Sequence, residues 1–347
     1  MKPLKLLKDI DKPLLFLLLA CGLILFFNLG SAEVERWDEY TNIQVVEESN
    51  SVDLFFQGDN FFEKPPVWYW LTRILTNVLG DELWVYRLPS AVSGSAIVVI
   101  IYQFLKTRTN KTSAFIAALS FLLIPHNILV NPGDYFSTHT YKSADLDALQ
   151  IFLVFLSFIL LQTNRKFWIL SCVLLGLGFL VKGALVLLFL AINSLFFVLS
   201  RKFNRQEFIK LILGFLAFMI VVFPWHLFMF MNHGSEFTDV YLNYHILERM
   251  NEGIEGHGHP IWYILKVFFD FRVNPFWPLL ILALLYKKIY SVNYLRYSVL
   301  AIIAVLIIFT IVETKLAWYV LPVYPFMCLV LGGVLHQILY RKHSNEM

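Results

Sequence analysis

Apolar segments long enough to cross a lipid bilayer recur along almost the whole of this 347-residue chain. A helix needs roughly 20 apolar residues to cross the hydrocarbon, and only helices and closed barrels satisfy their backbone hydrogen bonds there. Hydrophobic residues make up 58% of the chain and charged residues only 15%, against about 25% charged in soluble domains. The pattern therefore predicts an all-α polytopic membrane protein with about ten transmembrane helices. The predicted spans lie near 13–30, 89–105, 112–130, 146–162, 167–182, 184–200, 207–225, 273–288, 298–312 and 317–340.

Basic residues occur in every second connection between these spans. Because short loops rich in Lys and Arg stay on the cytoplasmic side, they predict one topology with both termini in the cytoplasm. The first apolar run is followed by Gly30, Ser31 and Ala32, which offer a signal-peptide cleavage site, but we favour an uncleaved first span. The basic residues are Lys2, Lys5, Lys8, Lys12, Lys106, Arg108, Lys111, Arg165, Lys166, Arg201, Lys202, Arg205, Lys287, Lys288, Arg341 and Lys342.

Two long connections are predicted on the opposite side from the basic loops. The first, at about 31–88, is acidic, and the second, at about 226–272, is rich in histidine. Long connections beside a rigid scaffold commonly carry function, so we expect the active-site face here. The chain is predicted to form one transmembrane domain over 1–347, with no soluble C-terminal domain. The three cysteines, at 21, 172 and 328, lie in apolar runs and are predicted to be packing residues.

Two motifs in the first long connection contain charged residues that could take part in catalysis or bind a ligand. Asp38 and Glu39 are adjacent carboxylates, suited to accept a proton or hold a divalent metal, or simply to form a hydrated acidic loop. Lys64 precedes Pro65 and Pro66, which exclude a helix and stiffen the backbone beside an aromatic segment. A cation held in this way suits a lipid phosphate, although an interface anchor is an equal alternative.

Four further segments carry candidate residues with ordinary alternatives. Asp147 lies at the head of an apolar run, where a carboxylate is costly unless it is paired, functional or meets a helix dipole. Arg249 is suited to grip a phosphate bidentately. His257 and His259 can share a metal but lack a strong zinc pattern, so a structural role is favoured. Lys315 is expected at the outer interface, where snorkelling is the simpler explanation.

Two other basic residues are expected to be interfacial. Arg87 opens the second span and is expected to snorkel rather than to act in catalysis. Lys182 lies between the fifth and sixth spans, where it departs from the charge bias of the loops.

Taken together and in order, these segments resemble a large bacterial family of lipid-linked-sugar glycosyltransferases related to aminoarabinose transferases and protein O-mannosyltransferases. The resemblance extends over about 30–330, and the ordered series is more specific than any one piece. Lys142 stands where relatives often carry Arg, and Ala317 where Pro is common. The matching segments are Asp38-Glu39, Glu63-Lys64-Pro65-Pro66 with Tyr69-Trp70, Arg87-Leu88-Pro89-Ser90, 139–149, 179–183, 249–260 and 314–325.

The resemblance implies a fold of the GT-C type, with long outer-face loops that carry short interfacial helices. It implies an active-site cavity at the periplasmic face of the bacterial inner membrane and a polyprenyl-phosphate sugar donor, usually undecaprenyl. The sugar would pass with inversion to lipid A, another lipid, a glycan or a protein. Membrane lipid is the remaining expected partner, and no nucleic acid is expected.

The same resemblance suggests roles for individual residues. Lys64, Arg249 and Lys315 would hold the donor phosphate, while Asp38 would deprotonate the acceptor or orient it with a divalent ion. A divalent metal (Mg, Mn or Zn) is permitted but not required, with Asp38 and His257 as its candidate ligands. The other candidates are Glu39 and Asp147 for catalysis, and Glu63, Tyr69, His139, His257 and Tyr319 for substrate binding.

Two other classes of protein are consistent with many spans. A secondary transporter would place ionisable residues near mid-membrane and often shows repeated halves, whereas here the charges gather at one face without a repeat. A non-catalytic protein that binds polyprenyl-phosphate sugars would keep the phosphate contacts but lose the base. The presence of Asp38 favours an enzyme.

Overall fold

The computed structural model describes residues 11–35, 37–49, 51–129, 131–136, 138–200 and 204–340. Apart from one short hairpin, the regular structure of these residues is helical. The α-helices are α1 (Lys12–Cys21), α2 (Asp38–Glu48), α3 (Val67–Leu79), α4 (Leu83–Arg108), α5 (Lys111–Leu122), α6 (Pro125–Ile128), α7 (Leu146–Thr163), α8 (Trp168–Lys182), α9 (Leu185–Leu199), α10 (Arg205–Thr238), α11 (Arg249–Asn251), α12 (Tyr263–Phe268), α13 (Trp277–Leu285), α14 (Asn293–Ile311) and α15 (Val323–Tyr340).

Every predicted span overlaps at least one helix. Within the described residues, five helical segments are long and apolar enough to cross a membrane, and shorter apolar helices occupy Lys12–Phe26, Lys111–Leu122 and Leu185–Leu199. The all-α polytopic prediction is therefore confirmed, while the exact number of spans is not. The basic residues Lys2, Lys5, Lys8, Arg201, Lys202, Arg341 and Lys342, used to predict orientation, lie outside the described residues.

The core is built from the middle helices and α15. Phe326 of α15 packs against Phe155 and Phe158 of α7 and against Phe189 of α9, with ring centroids 5.4, 5.1 and 5.3 Å away. Cys21, Cys172 and Cys328 are buried and free, as packing residues should be. The core therefore fixes the ends of α7, α8 and α9, from which part of the site is built.

Close helix contact is achieved with glycine where α8 meets α10. A Cβ atom at Gly214 would lie 2.0 Å from Nε1 of Trp168. That indole N–H donates to the backbone oxygen of Lys210, 2.9 Å away. Small residues at such crossings let helix backbones approach in a membrane.

The first long connection is folded on itself rather than extended. After α2 it forms a hairpin of β1 (Phe55–Phe56) and β2 (Asp59–Asn60). Gln57 and Gly58 turn this hairpin with φ of 54° and 83°, as a tight two-residue turn requires. The helix α3 follows, so the short helices expected in this connection are present.

A buried ion pair ties this connection to α4. Arg87 is only 3% exposed, and its Nε and Nη2 donate to the two carboxylate oxygens of Glu39 at 2.7 and 2.8 Å. Its Nη1 also donates to the backbone oxygens of Leu29 and Ala32. The expectation that Arg87 snorkels is therefore wrong, because its partners satisfy the guanidinium inside the protein.

The second long connection begins later than predicted. The span expected at 207–225 continues as α10 to Thr238, breaks at Gly234 (φ 53°, ψ −124°) and is followed by a π-helical segment, Asp239–Glu248. Farther on, the backbone of 249–258 pairs with that of 313–315: Thr314 donates to Arg249 and Lys315 donates to His257. These bonds bring two distant motifs of the sequence together.

Candidate active site

A cavity of about 550 Å³ lies where the two long connections meet the start of α7, the end of α8 and the start of α9. The turn between α8 and α9 and the residues just before α15 also contribute to its wall. Most of the predicted site residues line it: Asp38, Glu63, Lys64, His139, Asp147, Arg249, His257 and Tyr319.

Asp38 is the first residue of α2, where the helix dipole favours a carboxylate. Its Oδ1 accepts a hydrogen bond from Nζ of Lys64 at 2.7 Å, and its Oδ2 lies 3.1 Å from Nε2 of His139. Burial alone would raise the pKa of Asp38, but the positive charges of Lys64 and His139 outweigh burial and hold the pKa well below its usual range. Asp38 is therefore an ionised carboxylate between two cations.

Lys64 immediately precedes the rigid Pro65-Pro66 turn that leads into α3. Besides Asp38, its ammonium group lies 3.4 Å from Oδ1 of Asn42, which also accepts the Tyr69 hydroxyl at 2.9 Å. Burial would lower the pKa of Lys64, but the charge of Asp38 raises it above the usual value. Lys64 therefore stays charged, and Tyr69 acts behind it rather than in the cavity.

His139 lies in the segment before α7 and has an unusual backbone, with φ of 61°. Its backbone N–H donates to Oδ2 of Asp145, and its Nδ1 lies 2.7 Å from Oδ2 of Asp147. The ring stacks on Trp318 at a centroid distance of 3.8 Å. Burial would lower the pKa of His139, but Asp145, Asp147 and Asp38 raise it to about 9.

Lys182 completes a row of alternating charges. Its ammonium nitrogen lies 2.5 Å from Oδ2 of Asp147. The order Lys182, Asp147, His139, Asp38, Lys64 thus runs plus, minus, plus, minus, plus along the cavity wall. We call these five residues the charge row.

Arg249 stands apart from the charge row on another part of the wall. Its Nη2 donates to both carboxylate oxygens of Glu255, at 3.1 and 3.0 Å. Its Nε is buried and has no hydrogen-bond partner in the part of the chain that the structure describes. A buried N–H donor without an acceptor is costly, so this atom is suited to a ligand oxygen. Tyr319, which lies near Arg249, also lines the cavity.

Three predicted residues do not face the cavity. Glu39 is 1% exposed and is committed to Arg87 and to the backbone N–H of Ala144. Tyr69 is buried behind Lys64, as described above. Lys315 is 2% exposed, and within the described residues its ammonium group meets the backbone oxygen and the carboxylate of Glu313, at 3.4 and 4.0 Å. Two of the three predicted phosphate-binding cations therefore reach the cavity.

The donor set does not fit a metal at Asp38. Both of its oxygens are already bound to cations, and His257 makes no contact with it among those found in the described residues. The described part of the chain contains no group of three or more His, Cys, Asp or Glu side chains placed to hold an ion. The metal prediction thus has no support from this geometry.

The cavity wall also contains five residues for which the sequence predicted no role in the cavity: Lys182, Gln150, Trp318, His245 and Glu255. A signal was available for the first two, because ionisable and amide side chains inside or beside apolar runs mark functional or packed positions. Gln150 donates to the backbone oxygens of Gly178 and Gly183 and so holds the turn that carries Lys182. Trp318 and His245 carried no comparable signal.

The helical architecture of the chain is a fold of the GT-C type. Residues 63–228 match the family described as dolichyl-phosphate-mannose-protein mannosyltransferase. The crystal structure of ArnT from Cupriavidus metallidurans bound to undecaprenyl phosphate superposes with a TM-score of 0.75 at 17% identity, covering 96% of this chain and 61% of that one. The archaeal oligosaccharyltransferase AglB from Archaeoglobus fulgidus gives 0.53 at 12% identity, covering 97% and 51%.

Curated relatives agree with this class. The undecaprenyl phosphate-alpha-4-amino-4-deoxy-L-arabinose arabinosyl transferase 1 of Pseudomonas fluorescens is 26% identical over 335 residues, which is 92% of this chain and 59% of the relative. The corresponding transferase of Yersinia enterocolitica is 25% identical over 352 residues, 99% and 62% of the two chains. The chain thus spans about three-fifths of the length of these relatives.

The predicted resemblance is therefore confirmed: the chain has the GT-C fold and is related to the aminoarabinose transferases. Its apolar helices and these relationships indicate a multi-pass protein of the bacterial inner membrane. The division into one domain and the roles of the site residues stay predictions.

Proposed function

We propose that this protein is a membrane glycosyltransferase that moves a sugar, with inversion, from a polyprenyl-phosphate donor, in particular undecaprenyl phosphate, to an acceptor hydroxyl. The observation that carries the proposal is that Lys64 and Arg249 share one cavity with the ionised Asp38. Cations can meet the phosphate leaving group while a carboxylate meets the nucleophile. The relatives are named for transfer from undecaprenyl phosphate, which supports this choice of donor.

Arg249 and Lys64 would bind the donor phosphate. Arg249 offers its free Nε, and Glu255 holds the other end of the guanidinium and so orients it. Lys64 offers the remaining N–H bond of its ammonium group beyond those to Asp38 and Asn42. Because both cations are largely enclosed, their attraction for a phosphate is much stronger than in water.

Asp38 would receive the acceptor proton. With Lys64 and His139 at its two oxygens it is a weak base in the empty site, because its pKa is held well below the usual range. A phosphate bound to Lys64 adds negative charge nearby and so raises the proton affinity of Asp38. Binding of the donor would therefore turn the carboxylate into a better base at the step that needs one.

The bonds change in one displacement. The acceptor oxygen forms a bond to the anomeric carbon, and the bond from that carbon to the phosphate oxygen breaks on the opposite face. The electron pair stays on the departing polyprenyl phosphate, whose charge Lys64 and Arg249 neutralise, and the acceptor proton passes to Asp38. No covalent sugar intermediate is formed, so the anomeric configuration inverts.

We also propose the side of the membrane on which the reaction takes place and the kinds of acceptor. The charge bias of the loops supports a cavity at the periplasmic face and termini in the cytoplasm. A lipid-linked donor reaches such a cavity within the outer leaflet, without leaving the membrane. The acceptor would be lipid A, another lipid, a glycan or a protein.

The test is transfer from a radiolabelled undecaprenyl-phosphate sugar by the purified protein, with membrane lipids as acceptors. Release of undecaprenyl phosphate should require an acceptor, and Asp38→Asn should reduce it by about 10²- to 10⁴-fold. Asp81→Asn, which removes an exposed carboxylate of the same connection, is the matched control and should leave the rate unchanged. Tight donor binding without release by the wild-type protein would instead identify a binding protein.

A further inference from the structure

His139 makes contacts that leave little room for the substrate-binding role predicted for it. Its side chain is 3% exposed. Nε2 is directed to Asp38 at 3.1 Å, Nδ1 to Asp147 at 2.7 Å, and one face of the ring is covered by Trp318. Both ring nitrogens and one ring face are therefore already occupied.

Both contacts of the imidazole are with carboxylates, which accept hydrogen bonds and do not donate them when ionised. A neutral imidazole carries one N–H and satisfies only one carboxylate, whereas an imidazolium carries two and satisfies both. The geometry thus selects the doubly protonated ring.

The backbone around His139 is arranged to hold the ring in place. Its positive φ of 61° is uncommon for a residue with a side chain and has a small conformational cost. The carboxylate of Asp145 offsets that cost by accepting from the N–H of His139 and from the hydroxyl of Thr138. The ring position is therefore set from the main chain as well as from its two partners.

We propose that His139 is a positioning residue: as an imidazolium it fixes the carboxylates of Asp38 and Asp147 through two N–H bonds, and it does not contact the substrate. The inference rests on the proposed function, because it assigns His139 to the orientation of the base. The charged and titratable groups near the ring and its two carboxylate partners are Asp38 of α2, Lys64 before α3, His126 of α6, Asp145 before α7, Asp147 of α7 and Lys182 of α8.

The first measurement needs no activity. Nitrogen NMR of histidine-labelled protein in detergent, with His139→Gln used for assignment, should report a doubly protonated ring at pH 7.5. Asp38→Asn should lower the pH at which that ring loses its proton, since a neighbouring negative charge is removed. A neutral His139 ring at pH 7.5 in the wild-type protein would overturn the proposal, whatever the enzyme activity.

The second measurement separates positioning from substrate contact. His139→Gln should lower kcat by about 100-fold, as misplacement of a reacting group does, and leave KM for the donor within about threefold. The loss of rate above about pH 9 in the wild-type protein should disappear in this variant. His336→Gln, at a half-buried histidine hydrogen-bonded to Asn110, is the matched control and should retain wild-type kinetics.

A raised donor KM with unchanged kcat in His139→Gln would contradict positioning and indicate direct contact with the substrate. Asp38→Asn should cost less in the His139→Gln background than alone, because residues that act as a unit are not additive. Full additivity would also count against the proposal. Should the wild-type protein transfer no sugar at all, the proposed function fails, while the ring measurement still decides the state of His139.

Discussion

Arg249 and Lys64 are both cations of the cavity, but they differ in the geometry they offer to a phosphate. The planar guanidinium of Arg249 can present Nε and a terminal nitrogen in parallel, whereas an ammonium group acts as a point charge. Arg249→Lys should therefore weaken donor binding by about 10-fold, the loss of one charge-assisted hydrogen bond. The measurement is the Kd for undecaprenyl phosphate in detergent micelles.

A matched control exists for this substitution. Arg272 is 61% exposed and pairs with Asp270 outside the cavity. Arg272→Lys should leave the Kd unchanged. Equal affinity for the phosphate lipid in Arg249→Lys and the wild-type protein would remove Arg249 from the phosphate site.

His139 also makes the stability of the protein depend on pH. Its pKa is raised in the folded protein from 6.5 to about 9. The stability that it contributes is therefore fully present below about pH 6.5, declines above it and is lost as the pH rises through about 9. The difference in Tm between the wild-type protein and His139→Gln should shrink over that interval. A difference that grows with pH would contradict the assignment of an imidazolium.

The sequence predicted that a side chain lies in the cavity where a motif marked the residue. It did not do so where the position of the side chain depends on a partner from a distant part of the chain. Lys64 lies beside two prolines and an aromatic segment that mark a rigid turn, and Asp38 follows an aromatic residue, Trp37. Glu39 is chemically equivalent to Asp38 in the sequence, and only the folded chain reveals that Arg87 neutralises it. Lys315 likewise carries no sequence signal that its ammonium group is buried away from the cavity.

The contact between α8 and α10 depends on Gly214. Gly214→Ala would push a methyl group into the indole of Trp168 and disturb its hydrogen bond to Lys210. We expect a loss of about 1–3 kcal/mol in stability, the usual cost of overpacking. Thermal unfolding in detergent measures it. Gly22→Ala, where an added Cβ meets nothing within 4 Å, is the control and should unfold as the wild-type protein does.

The positions of the helices followed from hydropathy more closely than their ends did. The spans predicted at 146–162 and 184–200 are the helices Leu146–Thr163 and Leu185–Leu199. The prediction at 207–225 ended near Pro224, yet α10 continues to Thr238 with this proline inside it. A proline removes one backbone hydrogen bond from a helix but does not always end the helix. Here the helix continues through the apolar residues that follow Pro224. Such tertiary compensation is not visible in the sequence.

The orientation of the whole molecule can be tested with the native cysteines as a low background, since Cys21, Cys172 and Cys328 are all buried. Asp59→Cys, in the exposed hairpin, should react with a membrane-impermeant maleimide in intact cells. Ser291→Cys, beside the basic Lys287 and Lys288, should react only after the membrane is opened. The reverse pattern would place the cavity on the cytoplasmic side.

At the scale of the molecule, the sequence allowed the fold class and the meeting of the two long connections to be predicted. The charge row could not be predicted, because its members come from α2, the proline turn, the segment before α7, α7 itself and α8. Lys182 and His139 are 43 positions apart in the chain, and only the packing of α7 against α8 brings their partner Asp147 between them. Hydropathy describes which segments enter the membrane, but not which of their ends converge.

The stacking of His139 on Trp318 gives the protein a built-in optical indicator. A protonated imidazole in contact with an indole quenches its emission far more than a neutral one does, and here the two rings lie 3.8 Å apart and nearly parallel. The chain has 9 tryptophans, so the fluorescence of Trp318 is obtained by subtracting the spectrum of Trp318→Phe from that of the native chain. This fluorescence should increase as the pH rises and the imidazolium of His139 loses its proton. The protonation state of His139 can then be followed by fluorescence, with neither sugar nor lipid present.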